Sequence, residues 1–132
     1  MTLASAAVGG SETILVVEDE EGVRTLVCAV LRASGYNVIE ASNGGEALSI
    51  CERHQEAVHL MVTDVVMPGM SGRELSGKLG LLRPQMKVLY LSGYTSNAIV
   101  HHGVLEAGVS FLQKPFTPEV LTQKVRGVLD AT

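Results

Sequence analysis

Asp64 closes the apolar run His59-Leu60-Met61-Val62-Thr63, and the turn Met67-Pro68-Gly69-Met70-Ser71-Gly72 follows shortly after it. A strand that ends in a carboxylate and opens into a Pro/Gly loop presents that carboxylate at its C-terminal edge. Two other strand ends are loaded in the same way. Ile14-Leu15-Val16-Val17 ends in Glu18-Asp19, and Val109-Ser110-Phe111-Leu112-Gln113 ends in Lys114-Pro115. Carboxylates gathered at one sheet edge repel one another until a cation arrives. A hard divalent ion such as Mg²⁺ takes oxygen ligands of this kind. An added ammonium can hold phosphoryl oxygens, whose transfer depends on positioning and charge neutralisation. Glu18, Asp19, Asp64 and Lys114 therefore suit magnesium binding and phosphoryl transfer.

The elements that must position these groups alternate along the chain. Thr13 to Val17 is apolar and β-branched, as expected of a fully buried strand. From Glu20 the period becomes helical, with Val23, Leu26, Val27, Val30 and Leu31 on one stripe and Gly35 as the stop. Tyr36 to Ala41 reads as a second strand. Asn43-Gly44 opens a helix carrying Ala47, Leu48 and Cys51. Val58 to Thr63 is the third strand, and a glycine-containing helix over about 72–82 stops before Pro84. Lys87 to Leu91 is the fourth strand, followed by a helix over about 96–107 and a fifth strand at 109–113. Thr117 and Pro118 open the last helix, with Val120, Leu121, Val125, Val128 and Leu129 as its apolar face. Five βα units with short connections predict a doubly wound parallel sheet covered by helices on both faces. Ligand sites in such sheets lie at the carboxyl ends of the strands.

The 132 residues fit one domain, expected over 12–130 behind a flexible leader at 1–11. No output domain is expected after the last helix. The chain is 46% hydrophobic but only 4% aromatic, so its core is aliphatic. A formal net charge of -4 argues against a nucleic-acid surface. No apolar stretch is long enough to span a bilayer. Cys28 and Cys51 lie in separate expected helices with no partner for a disulfide or a metal, which suits reduced thiols in a cytoplasmic protein. The adjacent His101 and His102 diverge on a helix and read as surface residues.

Four segments carry a family resemblance: Ile14-Leu-Val-Val-Glu-Asp-Glu20, Thr63-Asp-Val-Val-Met-Pro-Gly-Met-Ser-Gly72, Leu91-Ser-Gly-Tyr94 and Phe111-Leu-Gln-Lys-Pro-Phe116. With them the chain resembles the chemotaxis-regulator-like receiver domain of two-component response regulators, over about 12–129. The run from Gly9 to Glu20 is most like receivers at the C-terminal end of hybrid sensor histidine kinases. The resemblance implies a flavodoxin-like strand order, 2-1-3-4-5. It implies that Asp64 accepts a phosphoryl group from a histidine kinase or phosphotransfer domain. Mg²⁺ would be held by Asp19, Asp64 and the backbone carbonyl of Val66, with Glu18 reaching the ion through water. Glu18 departs from the aspartate more usual there. Lys114 would pair with Asp64 and a phosphoryl oxygen, across a Lys114–Pro115 bond read as cis.

Ser92 would donate its hydroxyl to the phosphoryl group, with Gly93 leaving space beside it. On its own, Ser92 also reads as a strand-end turn serine, and Gly93 favours the phosphoryl contact. Phe111 would be the switch aromatic that turns inward when Ser92 engages, though a core phenylalanine reads the same. The output would be a changed face made by the fourth helix, the fifth strand and the last helix, recognised by a downstream protein, with a homodimer as one form. Val66 and Tyr94 flank the path of attacking water and imply slow self-dephosphorylation. No free substrate would be turned over. Two other readings compete: a haloacid-dehalogenase-like phosphatase, which needs a second aspartate where this chain has Val66, and a degenerate receiver that only binds protein.

Overall fold

Parallel pairing dictates which sequence ends meet. In the computed structural model, β1 (Thr13–Val17) lies between β2 (Asn37–Ala41) and β3 (Leu60–Asp64). β4 (Lys87–Ser92) pairs with β3, and β5 (Ser110–Gln113) closes the row. The sheet order is β2-β1-β3-β4-β5 and every pairing is parallel, as expected. The structure describes residues 9–93 and 110–131. The expected helix at 96–107, Tyr94, the histidine pair, the start of the fifth strand at Val109 and residues 1–8 of the expected leader fall outside them.

Alternation along each strand divides the core in two. Ile14, Val16, Leu60, Val62, Leu89 and Leu91 face α1 (Glu21–Ala33) and α4 (Pro118–Asp130). Leu15, Val17 and Met61 face α2 (Gly44–Arg53) and α3 (Gly72–Leu82). β3 is buried along its whole length, because it is the central strand with both faces covered. The aliphatic interior anticipated from composition is what fills both layers.

Helix boundaries follow local chemistry. Asn43 caps α2 by accepting the Glu46 N–H, and Thr117 caps α4 by accepting that of Val120. Pro118 stands at the first helical position. Gly35, at φ +100, ends α1 in a conformation that a Cβ disfavours. α3 is regular despite Gly77 and Gly80, since a capping box stabilises its start. There Ser71 accepts the Glu74 N–H and Glu74 accepts the Ser71 N–H.

The two expected helical stripes pack on the core except at one residue each. Leu26 is 53% exposed and Cys28 takes its place against the sheet, while Val120 is 44% exposed on α4. Both cysteines are buried free thiols. Residues 9–11, expected in the leader, are tied to the body: Gly10 donates to the Ser34 carbonyl, Arg126 donates to that of Gly9, and Asn37 donates to that of Ser11.

Candidate functional site

The site is assembled by register. Val17 of β1 pairs with Thr63 of β3, so Glu18 and Asp64 emerge side by side one residue further on. Ser92 pairs with Gln113, and the Ser92 carbonyl accepts the Lys114 N–H at 2.7 Å. That bond fixes where the lysine leaves β5. The Lys114–Pro115 peptide is cis, as the sequence suggested.

Lys114 Nζ lies 2.7 Å from Asp64 Oδ1 and 2.9 Å from Glu18 Oε1. The pairing with Asp64 was expected; the contact with Glu18 was not. Glu18 is fully buried, and its Oε2 accepts the Glu20 N–H at 3.0 Å. Its longer arm lets one carboxylate reach the turn behind it and the lysine ahead of it. Asp19 is exposed at the mouth of the site. Glu18, Asp19 and Asp64 each offer an oxygen within 4.8 Å of the others. Such a set fits a hard oxygen-seeking cation in spacing and in donor type.

An open cavity of about 430 Å³ lies over these groups, lined by Asp19, Glu20, Asp64, Val66, Leu91, Gly93 and Lys114. Glu20, which the sequence assigned to the first helical turn, is therefore also part of the rim. Ser92 is buried at the end of β4. Among the described residues, a Cβ on Gly93 would meet only the Lys114 methylenes, the nearer at 3.8 Å, which is ordinary contact. Gly72 is the forced position, since a Cβ there would sit 2.0 Å from the Asp64 carbonyl oxygen. The Gly72 N–H donates to the Val65 carbonyl at 2.9 Å, folding the loop tightly against the strand end. Phe111 is half-buried, opposite Tyr90 in register and packed against the small cluster of Val65 and Tyr90.

Charge in this pocket is unevenly shared. Burial, and then the hydrogen bond with Glu18, push the Asp64 carboxyl up to about 8. Burial also works against ionised Glu18. Hydrogen bonds from Asp64, the Glu20 N–H and Lys114 outweigh it and leave Glu18 below the usual carboxylate range. Burial disfavours charged Lys114, but Asp64 and Glu18 outweigh that and raise it. Without a metal, a proton shared by this pair therefore rests more readily on Asp64 than on Glu18.

The response regulator receiver domain family model matches residues 14–126. The chain belongs to the response regulator receiver domain family. It is 40% identical over 121 residues to the sensor kinase CckA of Brucella abortus (strain 2308), covering 92% of this chain and 13% of that kinase. It is 29% identical to the response regulator receiver protein CpdR of the same organism, covering 89% of this chain and 97% of that protein. The crystal structure of the receiver domain from the hybrid histidine kinase CckA superposes with a TM-score of 0.76 at 38% identity, covering 89% and 99% of the two chains. A CheY-like receiver from Methanospirillum hungatei JF-1 gives a TM-score of 0.79 at 33% identity, covering 92% and 95%. This receiver is thus a module of two-component phosphorelay signalling, as its sequence motifs implied. Receiver domains bind Mg²⁺ at an acidic pocket, and Glu18, Asp19 and Asp64 form such a cluster here. No helix among the described residues is long and apolar enough to cross a membrane.

Sequence reasoning missed the Glu18–Lys114 contact and the rim position of Glu20. The first had no local signal, because 96 residues separate the partners.

Proposed function

We propose that Asp64 accepts a phosphoryl group from a phosphohistidine of a histidine kinase or phosphotransfer domain. One observation carries this reading. A buried carboxylate stands at the end of the central strand, 2.7 Å from an ammonium and within 4.8 Å of two further carboxylates. An Asp64 oxygen attacks phosphorus, the P–N bond breaks, and the departing imidazole nitrogen keeps the electron pair and takes up a proton. Lys114 holds negative charge that develops on a phosphoryl oxygen.

Asp19, Asp64 and the Val66 backbone carbonyl would hold Mg²⁺, which neutralises phosphoryl oxygens when bound. Both Glu18 oxygens already accept hydrogen bonds, which supports a contact through water for that residue. Ser92 donates its hydroxyl to the phosphoryl group, and Phe111 follows it by changing its packing against Val65 and Tyr90. The face to which β5 and α4 contribute then changes its affinity for a downstream protein. The domain works in the cytoplasm and turns over no free substrate. Val66 is apolar and lines the cavity two residues after Asp64, where a phosphatase of the haloacid-dehalogenase kind needs a second acid.

Incubation with Mg²⁺ and acetyl phosphate tests the reading. One base-labile phosphoryl group per chain is expected, absent from Asp64→Asn. Repeated release of phosphate, or no modification at all, contradicts it.

A further inference from the structure

The acidic pair at the end of β1 is anchored from behind by a charge network that lies outside the cavity. The Glu18 N–H donates to the Ala41 carbonyl at 3.1 Å, and Arg24 Nη1 donates to the Glu18 carbonyl at 2.8 Å. The peptide groups on both sides of Glu18 are therefore tied down. Arg24 Nε in turn lies 3.5 Å from Glu40 Oε1 on β2. The other Glu40 oxygen accepts from Arg32 Nη1 at 3.0 Å, and Arg32 Nη2 reaches the Val38 carbonyl at 3.3 Å. Arg24 is only 17% exposed, so its bonds are partly shielded from solvent and salt.

A carboxylate ligand set binds a cation best when it need not be reordered on binding. Groups behind the ligands that fix the loop's shape therefore contribute to affinity. A guanidinium suits this task, since its rigid fork donates to two acceptors at fixed angles. Arg24 sits on the first turns of α1 and reaches back across the loop to the residue where β1 ends. It thereby couples the helix, β2 and the acidic loop.

The geometry points to Arg24 as a positioning residue for the magnesium site, held in place by Glu40 and acting through the Glu18 backbone on Glu18 and Asp19. This rests on the acceptor-site reading given above. Arg24 touches neither the cavity nor a reacting group, and its effect is on the shape of the loop that presents the ligands.

The test is isothermal titration of the full chain with MgCl₂, beside thermal unfolding in EDTA. Arg24→Ala is expected to raise the Mg²⁺ Kd about 10-fold or more, in the range seen when groups behind metal ligands are removed. The Mg²⁺ concentration giving half-maximal phosphorylation by acetyl phosphate should rise in parallel, while the rate at saturating Mg²⁺ stays close to that of the parent. A fall in unfolding temperature with an unchanged Mg²⁺ Kd would show a purely structural role and overturn the inference. If Arg24→Ala does not fold, Arg24→Lys carries the test. It keeps the charge but cannot fork between Glu40 and the Glu18 carbonyl, and a Kd raised at least ~3-fold is expected. An unaltered Kd for that variant overturns the inference equally. A parent chain that binds no Mg²⁺ would overturn the site reading itself, and this inference with it.

Discussion

Replacing Asp64 with Asn should make the metal-free protein more stable while abolishing its proposed chemistry. Asp64 is buried beside Glu18, and its carboxyl titrates at about 8 rather than 3.8. At about 1.36 kcal/mol per tenfold, ionising it at pH 8 opposes folding by up to roughly 6 kcal/mol. Water entering the open cavity and movement of Lys114 reduce this, leaving about 2 kcal/mol as the working figure. Asn mimics the protonated acid: its oxygen can still accept from Lys114 and its amide can donate to Glu18.

The sign follows from linkage. A carboxyl raised in the folded state adds stability only below the unfolded value of 3.8, and that stability is lost as pH rises towards about 8. Glu18 is shifted the other way, so its contribution is lost only on acidification below 4.5. Of these two carboxyls, Asp64 alone therefore makes stability vary between about pH 5 and 8.

The assay is urea and thermal unfolding in EDTA across that window. Asp64→Asn should exceed the parent by about 2 kcal/mol at pH 8, or about 8 °C for a domain of this size, with the gap narrowing towards pH 5. Added Mg²⁺ should close the gap by stabilising the parent more than the variant. A variant less stable than the parent at pH 8 in EDTA, or a gap independent of pH, would refute the reasoning.

Three further outcomes are expected. Gly72→Ala places a methyl 2.0 Å from the Asp64 carbonyl oxygen and should cost about 2–3 kcal/mol in urea unfolding, with slower phosphorylation as the strand end shifts. Glu12→Gln breaks a two-pronged contact with Arg126, at 2.7 and 3.1 Å, and should cost about 0.5–1 kcal/mol at neutral pH. The hydrogen bond from Arg126 holds the Glu12 carboxyl below 4.5, so that stability is complete above 4.5 and is lost on acidification; parent and variant should converge there in urea titrations. Burial first, and the Glu40 charge second, push the Cys28 thiol up to about 11. It should react with a disulfide reagent at pH 8 at about one hundredth of the rate seen in urea, or slower.

The strands were legible because most are short apolar runs closed by a polar residue, whereas their order was implied by the family resemblance. Asp64, Asp19 and Lys114 could be picked out for the same reason, as charges that terminate buried segments. Helix phase was less legible. The α1 stripe admits either Leu26 or Cys28, and packing against the sheet selected the cysteine. The capping box of α3 stood in the sequence as Ser71-x-x-Glu74, but the segment was read from its glycines and from Pro84. Glu18 was read as a water-mediated ligand, and its bond to Lys114 emerged only once parallel pairing brought β1, β3 and β5 to one edge. Arg24 carried no signal at all, because its partners are a backbone carbonyl and a residue on another strand.

Borohydride trapping would test the acceptor assignment most directly. The full chain is treated with acetyl phosphate and Mg²⁺, reduced, digested and sequenced by mass spectrometry. Homoserine at position 64, formed with Mg²⁺ and absent in EDTA, is the predicted result. Homoserine at another carboxylate, or none anywhere after demonstrable Mg²⁺ binding, would contradict it.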